Sequence, residues 1–179
     1  GWDATVGLEN ADGSRGTDVT GNGAGNSQVP ASDFTLDPCD CGFQAFFGSG
    51  CPTSPGIFPS IGSTGGSPLP PNPTYTITLS FAPGNSPAIL LLGASNATWV
   101  GASLPVPLSA FGGPAACSLL VSPDVVIPVT AGPTGAAVVG LPLPANLLCG
   151  GTAYAQWAVF DPLNPSFPSG MTDGLAVTL

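Results

Sequence analysis

The sequence predicts an all-β protein: a β-sandwich or jelly-roll-like domain of short antiparallel strands with Pro/Gly turns, stapled by disulfides. Three observations carry this expectation. Apolar and polar residues alternate with a period of two, most clearly over 75–81. There Tyr75, Ile77, Leu79 and Phe81 are separated by Thr76, Thr78 and Ser80. The 26 glycines and 22 prolines fall between short apolar runs rather than in a repeat, which suits tight turns and disfavours helices. Five cysteines occur in a chain without histidine. Zinc is then a poor explanation, and disulfides formed in an oxidising compartment are a good one.

Taken in order, residues 1–9 place Trp2, Ala4, Val6 and Leu8 on one side and Asp3, Thr5, Gly7 and Glu9 on the other, the pattern of a half-buried strand. Residues 10–28 are Gly, Asn, Asp and Ser with almost no apolar content, a loop composition. A short extended piece follows over 29–36, then the cluster Cys39-Asp40-Cys41-Gly42. The body starts near Phe43. After the proline-rich loop 63–73 come the alternating strand 75–81 and further strands over 88–92, 98–100, 118–121, 125–129, 136–141, 153–160 and 175–179. Their spacing, with Pro/Gly turns between them, is that of a sandwich or jelly roll. Phe81 is expected to point inward with Tyr75, Ile77 and Leu79.

Charge bounds the function. Only 6% of residues are charged, Arg15 is the sole basic residue, and the formal net charge is −9. Nucleic acid and anionic membrane surfaces are excluded as partners, because phosphate groups require a basic footprint. No apolar run approaches the roughly 18 residues of a membrane span. The acids are concentrated early: Asp3, Glu9, Asp12, Asp18, Asp33, Asp37 and Asp40 precede the body, which holds only Asp124, Asp161 and Asp173. A surface this poor in charge is covered by Ser, Thr, Asn, Gly and Pro, by glycan, or by neighbouring subunits. The first residue is Gly1 rather than Met, as in a mature product after removal of a signal peptide. An extracellular or cell-surface location is expected.

The motifs GSGCPTSPG (48–56), AILLLGASNATW (88–99), LPVPLSAFG (104–112), CSLLVSPD (117–124), AYAQWAVFDP (153–162) and DGLAVTL (173–179) resemble, in order and spacing, a C-terminal β domain of secreted proteins of planctomycetes and related marine and soil bacteria. The likeness covers about residues 46–179. It implies the sandwich fold, secretion and a bridge between Cys51 and Cys117; the family has no assigned catalytic activity, so the likeness says little about chemistry. Residues 1–45 lie outside it and form an N-terminal extension: a candidate donor strand (1–9) and a Gly/Asn/Asp-rich connector. Cys39, Cys41 and Cys149 also lie outside it, with Cys149 expected to pair with Cys39 or Cys41.

The chemistry of enzymes is not visible. A nucleophilic serine needs a neighbouring base, and without His or Lys none is at hand; no serine stands in a GxSxG elbow. Asp124, Asp161 and Asp173 each occupy a turn setting, Ser-Pro-Asp, Asp-Pro and Thr-Asp-Gly, where Asp serves its local backbone. No cofactor is expected beyond calcium, for which Asp12, Asp18 and Asn22 are the candidate oxygen ligands, in a spacing that is not an EF-hand. Trp99 and Trp157 are expected in the core, although a sugar-stacking platform with Trp2 is the alternative. Asn96-Ala97-Thr98 is an N-glycosylation sequon, and the Ser/Thr-rich surface offers sites for O-glycans.

The leading expectation is a structural subunit of an extracellular filament or surface assembly, a homopolymer joined by strand addition through Trp2, Ala4, Val6 and Leu8. The connector of about 19 residues spans roughly 60 Å when extended, enough to reach another subunit. A strand that pairs with the next copy's sheet propagates head to tail. The alternative is a secreted monomeric module that binds glycan or calcium at the cell surface.

Overall fold

A computed structural model describes residues 41–53, 56–147, 150–161 and 164–179. Its strands are β1 (Phe43–Phe47), β2 (Ser60–Thr64), β3 (Thr76–Ser80), β4 (Pro87–Gly93), β5 (Thr98–Trp99), β6 (Ala102–Ser103), β7 (Val106–Pro107), β8 (Ser118–Leu119), β9 (Val125–Thr130), β10 (Ala137–Gly140), β11 (Thr152–Asp161), β12 (Asn164–Met171) and β13 (Gly174–Thr178). Among the described residues a 3-10 turn, Leu108–Phe111, interrupts them. The all-β expectation holds. The first strand among the described residues begins at Phe43. Among the described residues no helix is long and apolar enough to cross a membrane.

The larger sheet has the order β1-β13-β11-β4-β9, with β12 pairing the far end of β11. The smaller has the order β10-β3-β2. All pairings are antiparallel. The two sheets face each other across one core, to which β3 contributes Ile77 and Leu79, β4 Leu90, β11 Trp157 and Val159, and β13 Leu175. Strand β3 alternates in sequence because only one of its faces is covered: Ile77 and Leu79 are buried while Thr76 and Thr78 look outward. Trp157 lies beneath β3 and donates its indole N–H to the Thr78 carbonyl at 3.1 Å, which fixes the small sheet over β11.

The large sheet is also covered on its other face, by an irregular layer formed from residues 94–124. This layer contains the small pairs β5–β6 and β7–β8. Its own core joins Leu108, Leu119, Leu120 and Val121 to Leu91, Ala158 and Met171 of the sheet. Strands β4 and β11 therefore meet apolar neighbours on both faces. That is why AILLL and AQWAVF read as near-continuous apolar runs rather than as alternations.

Two devices hold the layer down. The disulfide Cys51–Cys117 ties it to the segment after β1. Cys51 also exchanges backbone hydrogen bonds with Met171 at the end of β12. The second device is Gln156, fully buried on the layer side of β11. Its carbonyl accepts from Leu120 N–H at 2.9 Å, and its amide donates to Ser118 O at 3.1 Å and Thr172 O at 2.9 Å. Where the ladder breaks between β12 and β13, the Thr172 hydroxyl accepts the Trp157 N–H at 3.0 Å. Gly93 permits the same closeness: a Cβ there would collide with the backbone carbonyl of Ser122.

Three details depart from the sequence reading. Phe81 does not point inward. The chain turns after β3 with Phe81 at φ 60° and 67% exposed, and Ala82 takes the inward place, its N–H bonded to Gly135 O. The alternation ends where the Gly135 backbone packs directly on that of Ala82. Val100 is not in a strand but in the turn between β5 and β6, at φ 47° and 88% exposed. Trp157 is in the core as expected, whereas Trp99 is only half-buried, packed on the second core and against Phe111.

Replacing Gln156 by Leu leaves the Leu120 N–H and the Ser118 and Thr172 carbonyls without their partner. Each buried orphan costs about 1–3 kcal/mol, so we expect a total loss on the order of 3 kcal/mol or more, read from denaturant unfolding. Gly93→Ala is expected to cost about 1–3 kcal/mol by overpacking in the same assay.

Candidate functional site

The two long sides of the sandwich are built differently. On the side of β1 and β2 the sheets are clasped by polar groups. Gln44 Oε1 accepts from the Ser63 hydroxyl at 2.7 Å and from the Tyr75 hydroxyl at 3.3 Å. Burial holds the Tyr75 phenol above its ordinary pKa, partly offset by the bond with Ser63. On the side of β9 and β10 no side-chain hydrogen bond links the two strands among the described residues.

The small sheet is also narrower than the large one. With β3 over β11 and β2 against β13, the third strand β10 covers β4. Strand β9 lies at the border of the larger sheet, and its Ile127 and Val129 pack only partly against the core. The consequence is visible in burial: β9 reads Val-Val-Ile-Pro-Val-Thr, and none of its residues is buried. Its inner face carries Val125, Ile127 and Val129, opposite Leu92, Leu90 and Ala88 of β4. Val125 and Val126 are each about half exposed. The loop 131–136 ties β9 to β10 at one end. At the other end the space between the sheets opens into a cavity of about 360 Å³, lined by Ile77, Leu92, Val125, Leu141, Leu143 and Leu179 among others.

Edge chemistry differs between the two strands. Ala131 N–H donates to Ser86 O, so by the antiparallel alternation residues 125, 127 and 129 address β4 while Val126, Pro128 and Thr130 address the open edge. Pro128 therefore removes a donor from the free side of β9, a standard protection of an edge strand. In β10, Leu141 N–H donates to Tyr75 O. Ala137 and Val139 therefore address β3, and Val138 and Gly140 address the outside. Strand β10 carries neither proline nor charge, and a Cβ at Gly140 would meet nothing within 4 Å.

Comparison with protein-family models, with curated proteins and with solved structures finds no match.

Of the residues singled out in the sequence, Cys51 and Cys117 are bonded to each other. Cys41 is also disulfide-bonded, while Cys39 and Cys149 lie outside the described residues. So do the strand residues Trp2, Ala4, Val6 and Leu8 and the calcium candidates Asp12, Asp18 and Asn22. Among the described residues, no three of His, Cys, Asp and Glu come together as a metal site. Asn96 is exposed in the loop after β4. The Trp99–Phe111 ring pair, with centroids 6.3 Å apart and planes tilted by 58°, stands beside the exposed Val100.

Asp124 and Asp173 serve the backbone. Asp124 Oδ2 accepts from Ala94 N–H and from the Ser122 hydroxyl, both at 2.8 Å, and so latches the start of the covering layer to the end of β4. The bond from Ala94, then that from Ser122, holds its carboxyl below the ordinary range. Asp173, half-buried between β12 and β13, is pushed the other way by burial, offset in part by backbone N–H groups including that of Ile61. What the sequence reading did not find is the partly covered inner face of β9. Its one signal was Pro128 inside an apolar run, which marks an edge strand.

The two aspartates predict opposite pH dependences. The lowered pKa of Asp124 gives stability that is present above the ordinary carboxylate range and lost as pH falls through the depressed value. Asp124→Asn is expected to flatten that acid arm in thermal unfolding at a series of pH values. The raised pKa of Asp173 gives stability that is present below the ordinary range and lost as pH rises through the elevated value. Asp173→Asn is expected to raise Tm relative to wild type at neutral pH and to lose that advantage on acidification.

Proposed function

We propose that the protein is a structural subunit of an extracellular assembly, in which the segment Trp2–Leu8 of one copy adds as a strand to a sheet of the next. The observation that carries this reading is the pairing of an amphipathic strand sequence, set apart from the sandwich by a glycine-rich connector, with a sandwich whose edge strand β9 has no fully buried side chain and leaves Val125 and Val126 about half exposed. Strand addition supplies such an edge with backbone hydrogen bonds and with side chains at alternate positions. The disulfide and the near-absence of charge fit an oxidising, extracellular setting.

Magnitudes say that the strand alone is not sufficient. Burying Trp2, Ala4, Val6 and Leu8 contributes roughly 6–9 kcal/mol, whereas association costs about 4–15 kcal/mol. The flanking surfaces must add contact area. With three acids and no base between residues 42 and 179, neighbouring bodies approach with little electrostatic repulsion.

A second reading, a monomeric glycan-binding module, is favoured by the Trp99–Phe111 pair, in which Trp99 is half-buried and Phe111 about half exposed, since aromatic faces stack on sugar rings.

The discriminating experiment is the mass of the native particle, by light scattering and electron microscopy, for wild type and Val6→Asp. Assembly by wild type and at least a tenfold fall in assembled mass for Val6→Asp at equal concentration are expected. A wild-type monomer, or a Val6→Asp variant that assembles unchanged, would refute strand addition. Glycan-array binding by that monomer would establish the module.

A further inference from the structure

The acceptor of the added strand follows from the edges, and this inference rests on the strand-addition reading above. We infer that residues 2–8 of a second copy dock along the outer edge of β10, becoming a fourth strand of the small sheet that lies over the inner face of β9.

Three features select this place. The first is hydrogen bonding. Of the two strands that border the open side, β9 is closed to a newcomer by Pro128, whose missing N–H faces the free edge. Strand β10 presents Val138 and Gly140 outward with both N–H and C=O unblocked by proline or charge. The second is cover. A strand beside β10 continues the small sheet at the usual spacing of about 4.8 Å and comes to lie above Val125, Ile127 and Val129. These three form the inner face of β9: Val125 is about half exposed, and Ile127 and Val129 are only partly buried against the core. Alternate residues of the newcomer point down onto them, and Trp2, Ala4, Val6 and Leu8 are such a set. Asp3, Thr5 and Glu9 then face solvent, where their charge is solvated. The third is length. Seven extended residues span roughly 23 Å, which matches the six residues of β9 plus the mouth of the cavity beside Val125, Leu141 and Leu143. That cavity of about 360 Å³ accommodates one large side chain, and the indole of Trp2 is the large side chain of the segment.

The edge of β1 is the competing acceptor. It also lacks proline and charge, and Phe43 and Phe46 are at least half exposed there. On its side of the sandwich, however, the two sheets are already linked by the Gln44, Ser63 and Tyr75 hydrogen bonds. A strand added to β1 would extend the larger sheet past β2, whose inner residue Ile61 is already buried.

The test uses the full chain. Val138→Pro removes one outward N–H and leaves the bonds of Ala137 and Val139 to β3 in place, as Pro128 does in β9. Its exposed side chain demands no repacking. Assembled mass is expected to fall at least tenfold, with the circular dichroism spectrum and the Cys51–Cys117 bond unchanged. In parallel, a photo-cross-linking phenylalanine in place of Val6, in an equal mixture of ¹⁴N- and ¹⁵N-labelled protein, is mapped by mass spectrometry. Hybrid-mass links from position 6 to residues 125–129 or 137–143 are expected. Hybrid links to residues 43–47, or full assembly by Val138→Pro, would overturn the acceptor while leaving strand addition standing. Links confined to single-isotope pairs would overturn strand addition itself.

Discussion

Gln156 stands in the middle of the most heavily covered strand, with its side-chain amide satisfied three times by backbone on two different segments. An amide buried in apolar surroundings is tolerable only when its hydrogen bonds are complete. Completing them requires Ser118, Leu120 and Thr172 to take fixed positions. The covering layer has little regular structure of its own: its paired strands are two residues each. Its geometry is therefore dictated from below, by this amide, by the close approach at Gly93 and by the Asp124 latch. Trp157, the next residue, does the same for the opposite face through its bond to Thr78. Two adjacent side chains on β11 thus register both outer layers against the central sheet.

The remaining asymmetry is that of a three-stranded sheet facing a wider one. On one flank the difference is taken up by polar contacts from Gln44. On the other it leaves an apolar strand at the border of the core. The proline in β9 fits this picture, because it disarms the backbone of that strand without covering its side chains. The neighbouring strand keeps its backbone groups available. On this side of the sandwich, backbone partners for a further strand are thus available on one lip and blocked on the other.

Much of the fold was legible because period and burial agree. Strand β3 alternates since one face meets the core, and β4 and β11 read as apolar runs since both faces do. Strand β10 also lay within its expected range, and the ends of β9 and β13 fell within one residue of theirs. Other strands exist for reasons that local sequence does not carry. β2, Ser-Ile-Gly-Ser-Thr, has one large apolar residue and is extended by its pairing with β3. β12 contains Pro165 and Pro168 and reads as a loop, yet it follows β11 through irregular register. Phe81 misled because alternation continued in the sequence past the point where the Gly135 backbone packs on that of Ala82. For the candidate site, the inner and outer residues of β9 were evident from its pattern, and Pro128 marked it as an edge. That it lies at the border of the larger sheet, only partly packed against the core, depends on the count and order of strands in three dimensions, which no window of residues contains.

The two cores differ in how they are secured. The one between the sheets holds by packing and by ladders that run the length of its strands, and its residues include no cysteine. The one beneath the covering layer contains both halves of the Cys51–Cys117 bridge, which closes a loop across 66 positions of the chain. Breaking this one bridge therefore removes a restraint from the covering layer, residues 94–124, and none from the core between the sheets.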